Sequence, residues 1–313
     1  MLKETLQIFL ITFNRSDRLK NTLMSVFASD SPIKDFDITV IDNNSSDDTE
    51  TVVKEFCEKL PNLKYCKNRF NIGGNGNIAR TFELPEKEYF WILCDDDCYD
   101  WSAWGEVEKA ISANPDLVIV SNDNLKKEIN LGTIAKQLTF LPSAIYKTSN
   151  ITDDVIHDAQ FNIPFLFPHL SLVCSLINNG KIENRAIVSQ NIVIPDNYNH
   201  DYIRGVNSSN ALARNTLWIT GFINSIQLIE NPKTRTYILD NLLPRPLKFF
   251  SVISAEFKYN RLFCGNYLKN ICDVFCGISA GQKVQFIIAL IWLDVIYFIK
   301  KFILRNKKYI GAK

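Results

Sequence analysis

With 313 residues, 46 % of them hydrophobic, and a net charge of +1, the chain can bury a sizeable core. The charge gives no overall pull toward nucleic acid or anionic lipid, so any such attraction has to be local. Eight cysteines without a Cys-x-x-Cys pair, and only three histidines, exclude an obvious zinc set; nothing nearby completes one for Cys94/Cys98 or Cys272/Cys276. Reduced thiols and a cytoplasmic setting are expected. The first apolar run, Leu6–Thr12, is short and preceded by Lys3 and Glu4, which does not read as a secretory signal.

That run reads as the first buried strand, ending in the polar turn Phe13-Asn14-Arg15-Ser16-Asp17. Leu19, Leu23, Val26 and Phe27 recur at helical spacing until Pro32. Ile38–Ile41 is a second strand, followed by Asp42 and then Asn43 to Asp48. Asp47 with Glu50 predicts a capping box for the next helix, which runs to Pro61. Leu63–Cys66 is a third strand. Strands alternating with helices imply an α/β fold with a mostly parallel, right-handed sheet.

Asn71-Ile72-Gly73-Gly74-Asn75-Gly76-Asn77 follows, with three glycines in four positions. Such a segment turns tightly and brings backbone close to a ligand, or is a plain flexible turn. Arg80 lies just beyond on a short helix. Then Phe90-Trp91-Ile92-Leu93-Cys94 runs directly into Asp95-Asp96-Asp97. Ligand sites in open α/β sheets lie outside the carboxyl ends of strands. Three adjacent acids repel one another unless a cation or hydrogen-bond donors offset them, so the triplet predicts either a divalent-metal and phosphate site or a solvated acidic turn.

In this order and spacing, Thr12-Phe13-Asn14-Arg15, the Asp42-to-Thr49 segment, the glycine segment with Arg80, and the acid triplet resemble the family 2 glycosyltransferases of the GT-A fold. The glycine segment is closest to rhamnosyl- and galactofuranosyl-transferase-like members. The resemblance covers the first hundred residues well and the next hundred loosely. It implies a Rossmann-like, mostly parallel sheet flanked by helices. It also implies a nucleotide-sugar site built from Thr12, Phe13, Asn14, Arg15, Asp42, Asn71, Gly73, Gly74, Asn77, Arg80, Asp95 and Asp96. Thr12, Phe13 and Asn14 would cradle the base, Asp42 would accept a hydrogen bond from it, and Arg80 would face the diphosphate. Asp95 and Asp97 would meet Mg²⁺ or Mn²⁺ and the ribose, although which two acids do so is a matter of register. UDP-sugars are the favoured donors.

Farther on, Trp101 and Trp104 open a helix, either lining an acceptor subsite or packing beneath it. Leu117–Val120 is another strand, and Lys126 to Ile151 reads as a polar flap containing Pro142. An inverting transferase needs a base for the acceptor hydroxyl. Many family members carry it in a Glu-Asp-x-Asp segment, but the corresponding stretch here, Pro168 to Gly180, has no carboxylate. His169 falls where the family places an acid and is the expected base, with Asp153, Asp154 and Asp158 as rivals; a hydrogen-bonded core histidine is the other reading. His200 matches a downstream histidine that serves as a third metal ligand in galactofuranosyltransferase-like members. Ser208 to Glu230 reads as a helix.

Residues 1–243 are expected to form the transferase domain, with 1–125 as the nucleotide-sugar half and 126–243 as the acceptor half. Residues 244–313 would be a helical extension. There, Phe286 to Ile299 is apolar except for Asp294, too short to cross a hydrocarbon core of roughly 30 Å at about 1.5 Å per residue. Residues 300–313 carry six cations and no acid. That pattern predicts peripheral attachment to the cytoplasmic leaflet, where an undecaprenyl-diphosphate-linked glycan of the O-antigen or capsule type would be the acceptor. The alternatives are a core helix with a solvated basic end and, for function, a catalytically silent nucleotide-sugar-binding partner, suggested by the missing carboxylates. A nucleotidyltransferase is disfavoured because no glycine- and lysine-rich loop follows the first strand.

Overall fold

The computed structural model describes residues 2–121, 130–194, 218, 221–242, 275–278, 280–288 and 291. Nine strands are found among them: β1 (Leu6–Thr12), β2 (Ile38–Asp42), β3 (Leu63–Lys67), β4 (Tyr89–Cys94), β5 (Cys98–Tyr99), β6 (Leu117–Val120), β7 (Ala144–Lys147), β8 (Arg185–Val188) and β9 (Val193–Ile194). Seven form one sheet in the order β3-β2-β1-β4-β7-β6-β8, and β5 pairs with β9 apart from it. Within the seven-stranded sheet of the described residues only β7 runs against its neighbours, pairing antiparallel with β4 and β6. The helices are α1 (Leu2–Thr5), α2 (Ser16–Val26), α3 (Thr49–Cys57), α4 (Gly74–Thr81), α5 (Trp104–Ser112), α6 (Leu131–Gln137), α7 (Asp153–Phe161), α8 (Leu170–Asn178) and α9 (Pro232–Leu242).

β1, β2 and β4 read as unbroken apolar runs because both faces of the sheet are covered. On one face Leu6, Ile8, Leu10, Trp91 and Leu93 pack with Leu19 and Leu23 of α2, Val53 of α3 and Val107 of α5. On the other, Phe9, Phe90, Phe82 and Tyr146 form an aromatic cluster with ring centroids 5.4–6.4 Å apart. Burying a ring of that size stabilises by about 2–3 kcal/mol. Parallel register sets Thr12 beside Asp42 and Ile11 beside Cys94, so the last residues of three strands share one edge.

The flap expected over 126–151 is corrected wherever it is described. Residues 130–151 hold α6, β7 and two short 3-10 turns, and β7 is a central strand with Ala144, Ile145 and Tyr146 buried. Pro142 does not break this segment; its carbonyl accepts a hydrogen bond from Trp91 Nε1 at 2.8 Å. The capping box is also corrected. Asp47 accepts from the backbone N–H and hydroxyl of Thr49 and from the backbone N–H of Ser16, while Glu50 pairs with Lys54 and Lys67. Trp104 is packed against Phe36 and Trp101, and Trp101 stacks on Tyr99 at 5.2 Å.

Contacts divide the chain into one unit of residues 1–198 with 228–231 and another of 199–227 with 232–313. In the second unit residues 221–225 are helical, Trp218 stacks on Phe222 at 5.5 Å, and Gln227 Nε2 donates to the carbonyls of Ile223 and Gly277. A Cβ at Gly277 would run into Ile223, so only glycine allows this approach. Residues 208–217 of the expected helix lie outside the described residues. Among the described residues no helix is long and apolar enough to cross a membrane.

Candidate functional site

Three turns leave the shared strand edge, and side chains stitch them together. Asn14 and Asn44 both take positive φ (50° and 64°), a conformation that asparagine tolerates. Asn14 N–H donates to Ser45 Oγ at 2.8 Å, and Asn14 Oδ1 accepts from Ser46 N–H at 2.8 Å. Phe13 is half-buried beside it. Asp42 is wholly buried: Oδ1 accepts from the backbone and hydroxyl of Ser45, and Oδ2 from Tyr65 Oη at 2.6 Å. Burial, and then that bond to Asp42, push the Tyr65 hydroxyl pKa well up. Asp42 thus holds the turn that frames the site, with both of its oxygens engaged by the protein.

The glycine segment is clamped rather than loose. Asn68 Nδ2 donates to Asn43 Oδ1 and Asn77 Oδ1, and its own Oδ1 accepts from Arg80. Asn43 in turn bonds Asn71 Oδ1 and the Ile72 N–H, while Asn71 Oδ1 also accepts from the Gly73 N–H. Gly73, at φ +80°, is the residue where the chain needs a left-handed turn to enter α4. A Cβ built on Gly73 or Gly74 meets nothing within 4 Å, so the backbone here faces open space. Among the described residues Arg80 has no carboxylate partner; Asn68 and Cys66 hold it.

The acid triplet splits. Asp95 is 2 % exposed, accepts from Thr12 Oγ1 at 2.6 Å and pairs with Arg15 at 2.9 Å. Burial lifts its carboxyl to about 6, even against the pull of Arg15 and Thr12. Arg15 reaches Asp96 as well, at 2.7 Å, and Arg18 stands 3.8 Å from Asp96. The side chains of Asp96 and Asp97, with the Cys94 thiol, lie within 4.8 Å of one another. Burial and then the neighbouring acids push the Cys94 thiol far up, so it stays protonated. Two carboxylates suit a hard cation that takes its remaining ligands from phosphates, whereas a neutral thiol does not coordinate one. This donor set fits Mg²⁺ or Mn²⁺ through Asp96 and Asp97. Asp95 faces its protein partners instead.

His169 precedes α8 and is 2 % exposed, its ring edge-on to Phe167 at 5.9 Å. Its Nε2 bonds the Leu138 carbonyl at 3.0 Å, while Nδ1 has no partner among the described residues. Burial holds the imidazole neutral, with its pKa pushed down to about 4. These are the surroundings of a core histidine. The rival acids are placed by topology. Lys147 pairs with Tyr89, and the Thr148 N–H donates to the Glu88 carbonyl, so the chain leaves β7 at the end of the sheet opposite the acids. Asp153 and Asp154 open α7 from that far end, and Asp158 lies halfway along it beside His157. His200 is outside the described residues.

Asn43, Ser45, Tyr65, Asn68 and Arg18 belong to this edge and were not singled out from the sequence. Asn43 and Ser45 lie in the Asp42-to-Thr49 segment that carries the resemblance, and Arg18 has a local signal, since it follows Arg15 by one helical turn and shares its face.

The Glycosyl transferase family 2 model matches residues 7–174. The GalNAc(5)-diNAcBac-PP-undecaprenol beta-1,3-glucosyltransferase of Campylobacter jejuni is 36 % identical over 93 residues, 29 % of either protein. Abequosyltransferase RfbV of Salmonella typhimurium is 24 % identical over 200 residues, 53 % of this chain and 59 % of that protein. The matches therefore span less than two thirds of either relative. Among solved structures, S. aureus TarS 1–349 in complex with UDP-GlcNAc gives a TM-score of 0.63 at 14 % identity, covering 91 % of this chain and 89 % of that one. The mannosyltransferase PcManGT from Pyrobaculum calidifontis, in complex with GDP-Man and Mn²⁺, gives 0.52 at 12 %, covering 93 % and 86 %. At these identities the likeness concerns the fold, which is that of GT-A glycosyltransferases.

Proposed function

Since the chain belongs to glycosyl transferase family 2, we propose that it moves a sugar, with inversion, from a nucleotide-sugar to a lipid-linked glycan in bacterial surface-polysaccharide synthesis. The observation that carries this is the paired Asp96 and Asp97 after β4, on the same strand edge as the turn after β2 whose Asn43 holds the glycine segment. The relative named for an undecaprenol-diphosphate-linked substrate supports the acceptor class, and the TarS complex supports a UDP-sugar.

In this proposal Phe13 and the turns held by Asn14 and Asp42 receive the nucleoside, and Arg80 faces the diphosphate. Thr12 and Arg15 hold the buried Asp95, and Asp96 and Asp97, whose carboxylates lie within 4.8 Å of each other, would hold Mg²⁺ or Mn²⁺, with Arg15 still bracing Asp96 from the protein side. When bound, that ion supplies positive charge against the departing nucleoside diphosphate. His169 is uncharged, and its Nδ1 has no hydrogen-bond partner among the described residues. In this reading it is the group that takes the acceptor proton. His200 remains a proposed third metal ligand, and residues 244–313 a proposed membrane-facing extension outside the transferase domain.

The burial of His169 favours a second reading, a silent nucleotide-sugar-binding partner. One experiment separates the two: thermal shift with nucleotide diphosphates and their sugars, with and without Mn²⁺, followed by incubation with donor and an undecaprenyl-diphosphate-linked glycan. Metal-dependent donor binding with transfer supports the enzyme. Binding with neither transfer nor donor hydrolysis supports the silent partner, and no binding of any nucleotide overturns both.

A further inference from the structure

Residues 280–288 form a helix, Ile291 is helical too, and the side of 280–288 that faces away from its own unit is apolar. Gln282 and Phe286 lie on one face at 3 % and 0 % exposure, packed inside their own unit. Val284, Ile287, Ile288 and Ile291 recur at the spacing of a single helical stripe and are 58 %, 43 %, 48 % and 61 % exposed. Lys283 and Gln285 sit at the borders between the faces, half-buried. A soluble helix puts polar side chains on its outer face. This one places four branched aliphatic groups in water, where each keeps a hydrophobic driving force to leave.

The chain that follows says what would cover the stripe. Residues 300–313 carry Lys300, Lys301, Arg305, Lys307, Lys308 and Lys313 without an acid, although the whole chain has a net charge of only +1. An apolar stripe followed by a concentrated cationic segment is complementary to an anionic bilayer, whose acyl boundary accepts the aliphatic groups and whose headgroups accept the cations. A second copy of the chain would bring the same cations together and repel.

We infer that Val284, Ile287, Ile288 and Ile291 form the insertion face by which the protein docks on an anionic phospholipid surface, with the cations of residues 300–313 supplying the charge attraction. This deepens the proposed membrane-facing role of residues 244–313 and rests on it. The stripe is the part of that role which the periodicity of the whole apolar run did not single out.

The full chain is sedimented with vesicles of equal parts phosphatidylglycerol and phosphatidylcholine, and with vesicles of phosphatidylcholine alone, in the absence of nucleotide. Binding to the anionic vesicles is expected to be at least about tenfold tighter and to weaken by a similar factor in high salt. Ile287→Ser combined with Ile291→Ser should reduce binding about tenfold while leaving the thermal unfolding of the protein in place. Should that pair misfold, replacing Lys300, Lys301, Arg305, Lys307 and Lys308 with glutamine tests the charge half, which must remove the preference for anionic lipid. Wild-type protein that stays in solution overturns the inference, as does a folded stripe variant that binds like wild type. Concentration-dependent self-association lost in the stripe variant also overturns it, because the occupant is then a second copy. Nucleotide binding is measured separately without vesicles, so failure of the docking face is distinguishable from failure of the transferase reading.

Discussion

Arg15 Nη1 lies 2.9 Å from Asp95 Oδ1 and 2.7 Å from Asp96 Oδ2, so one guanidinium joins two of the three consecutive acids. It does this from the turn after β1, eighty residues earlier in the chain. Asp95 is almost wholly buried, and Arg15 is its cationic partner there. Removing one member of a buried pair leaves the other charge uncompensated, at a cost of about 3–5 kcal/mol. Arg15→Ala should therefore lower stability by about 3 kcal/mol in urea titration at pH 8. A loss below 1 kcal/mol would mean that the pair is a surface contact rather than the anchor of the triplet.

The division of the triplet predicts unequal effects of neutral substitution. Asp96→Asn and Asp97→Asn each remove a carboxylate from the pair that fits a divalent ion, and each should weaken Mn²⁺ binding by about tenfold or more in isothermal calorimetry. Asp95→Asn keeps that pair and should change Mn²⁺ affinity by less than about threefold, its main effect falling on stability through Thr12 and Arg15. Chelation with EDTA should abolish the added thermal stability that a nucleotide diphosphate confers on wild type. Equal losses of Mn²⁺ affinity in all three variants would return Asp95 to the metal.

His169 makes a prediction about pH. Its folded pKa is pushed down to about 4 by burial, against an ordinary 6.5. A neutral buried histidine supports the fold fully above the unfolded value. As pH falls below about 6.5 the unfolded chain takes up the proton first, so stability is lost toward pH 4, by about 3 kcal/mol in total. Below that the contribution is flat. His169→Gln can keep a hydrogen bond to the Leu138 carbonyl without titrating, and its stability should fall less over this window. The same variant should bind donor as wild type does but lose transfer if Nδ1 accepts the acceptor proton. Undiminished transfer assigns His169 to the core alone.

Much of the nucleotide half was readable because β1, β2 and β4 are covered on both faces, which produces unbroken apolar runs ending in polar turns. β7 was unreadable for the opposite reason. It is four residues long, ends in Lys147 and follows Pro142, so neither length nor alternation marked it; tertiary pairing with β4 and β6 makes it a strand. The presence of acids after β4 was legible, but their directions were not. Those depend on the turn between β4 and β5 and on Arg15, a contact that no local pattern records. For the expected base, family position pointed to His169, while its bond to the Leu138 carbonyl and its contact with Phe167 are tertiary features that no local pattern shows.

The asparagines around the glycine segment supply the last test. Asn68 is 3 % exposed, and its amide serves Asn43, Asn77 and Arg80 together. Replacing it by alanine removes the donor to the buried Asn77 Oδ1 and takes from the Arg80 guanidinium its oxygen acceptor, leaving the weaker Cys66 Sγ contact. Each buried polar group left unsatisfied costs about 1–3 kcal/mol, so Asn68→Ala should lower stability by about 3 kcal/mol. Asn71 is exposed, and loss of its two bonds should cost only about 1 kcal/mol. Both substitutions loosen the entry to α4, but only the first takes the oxygen acceptor from Arg80. Asn68→Ala should therefore weaken binding of a nucleoside diphosphate by about tenfold, the loss of one well-placed charged contact, while Asn71→Ala weakens it by less. Nucleotide affinity measured on both folded variants decides the matter: equal affinities would remove Arg80 from the diphosphate and leave the amide cluster a purely structural clamp.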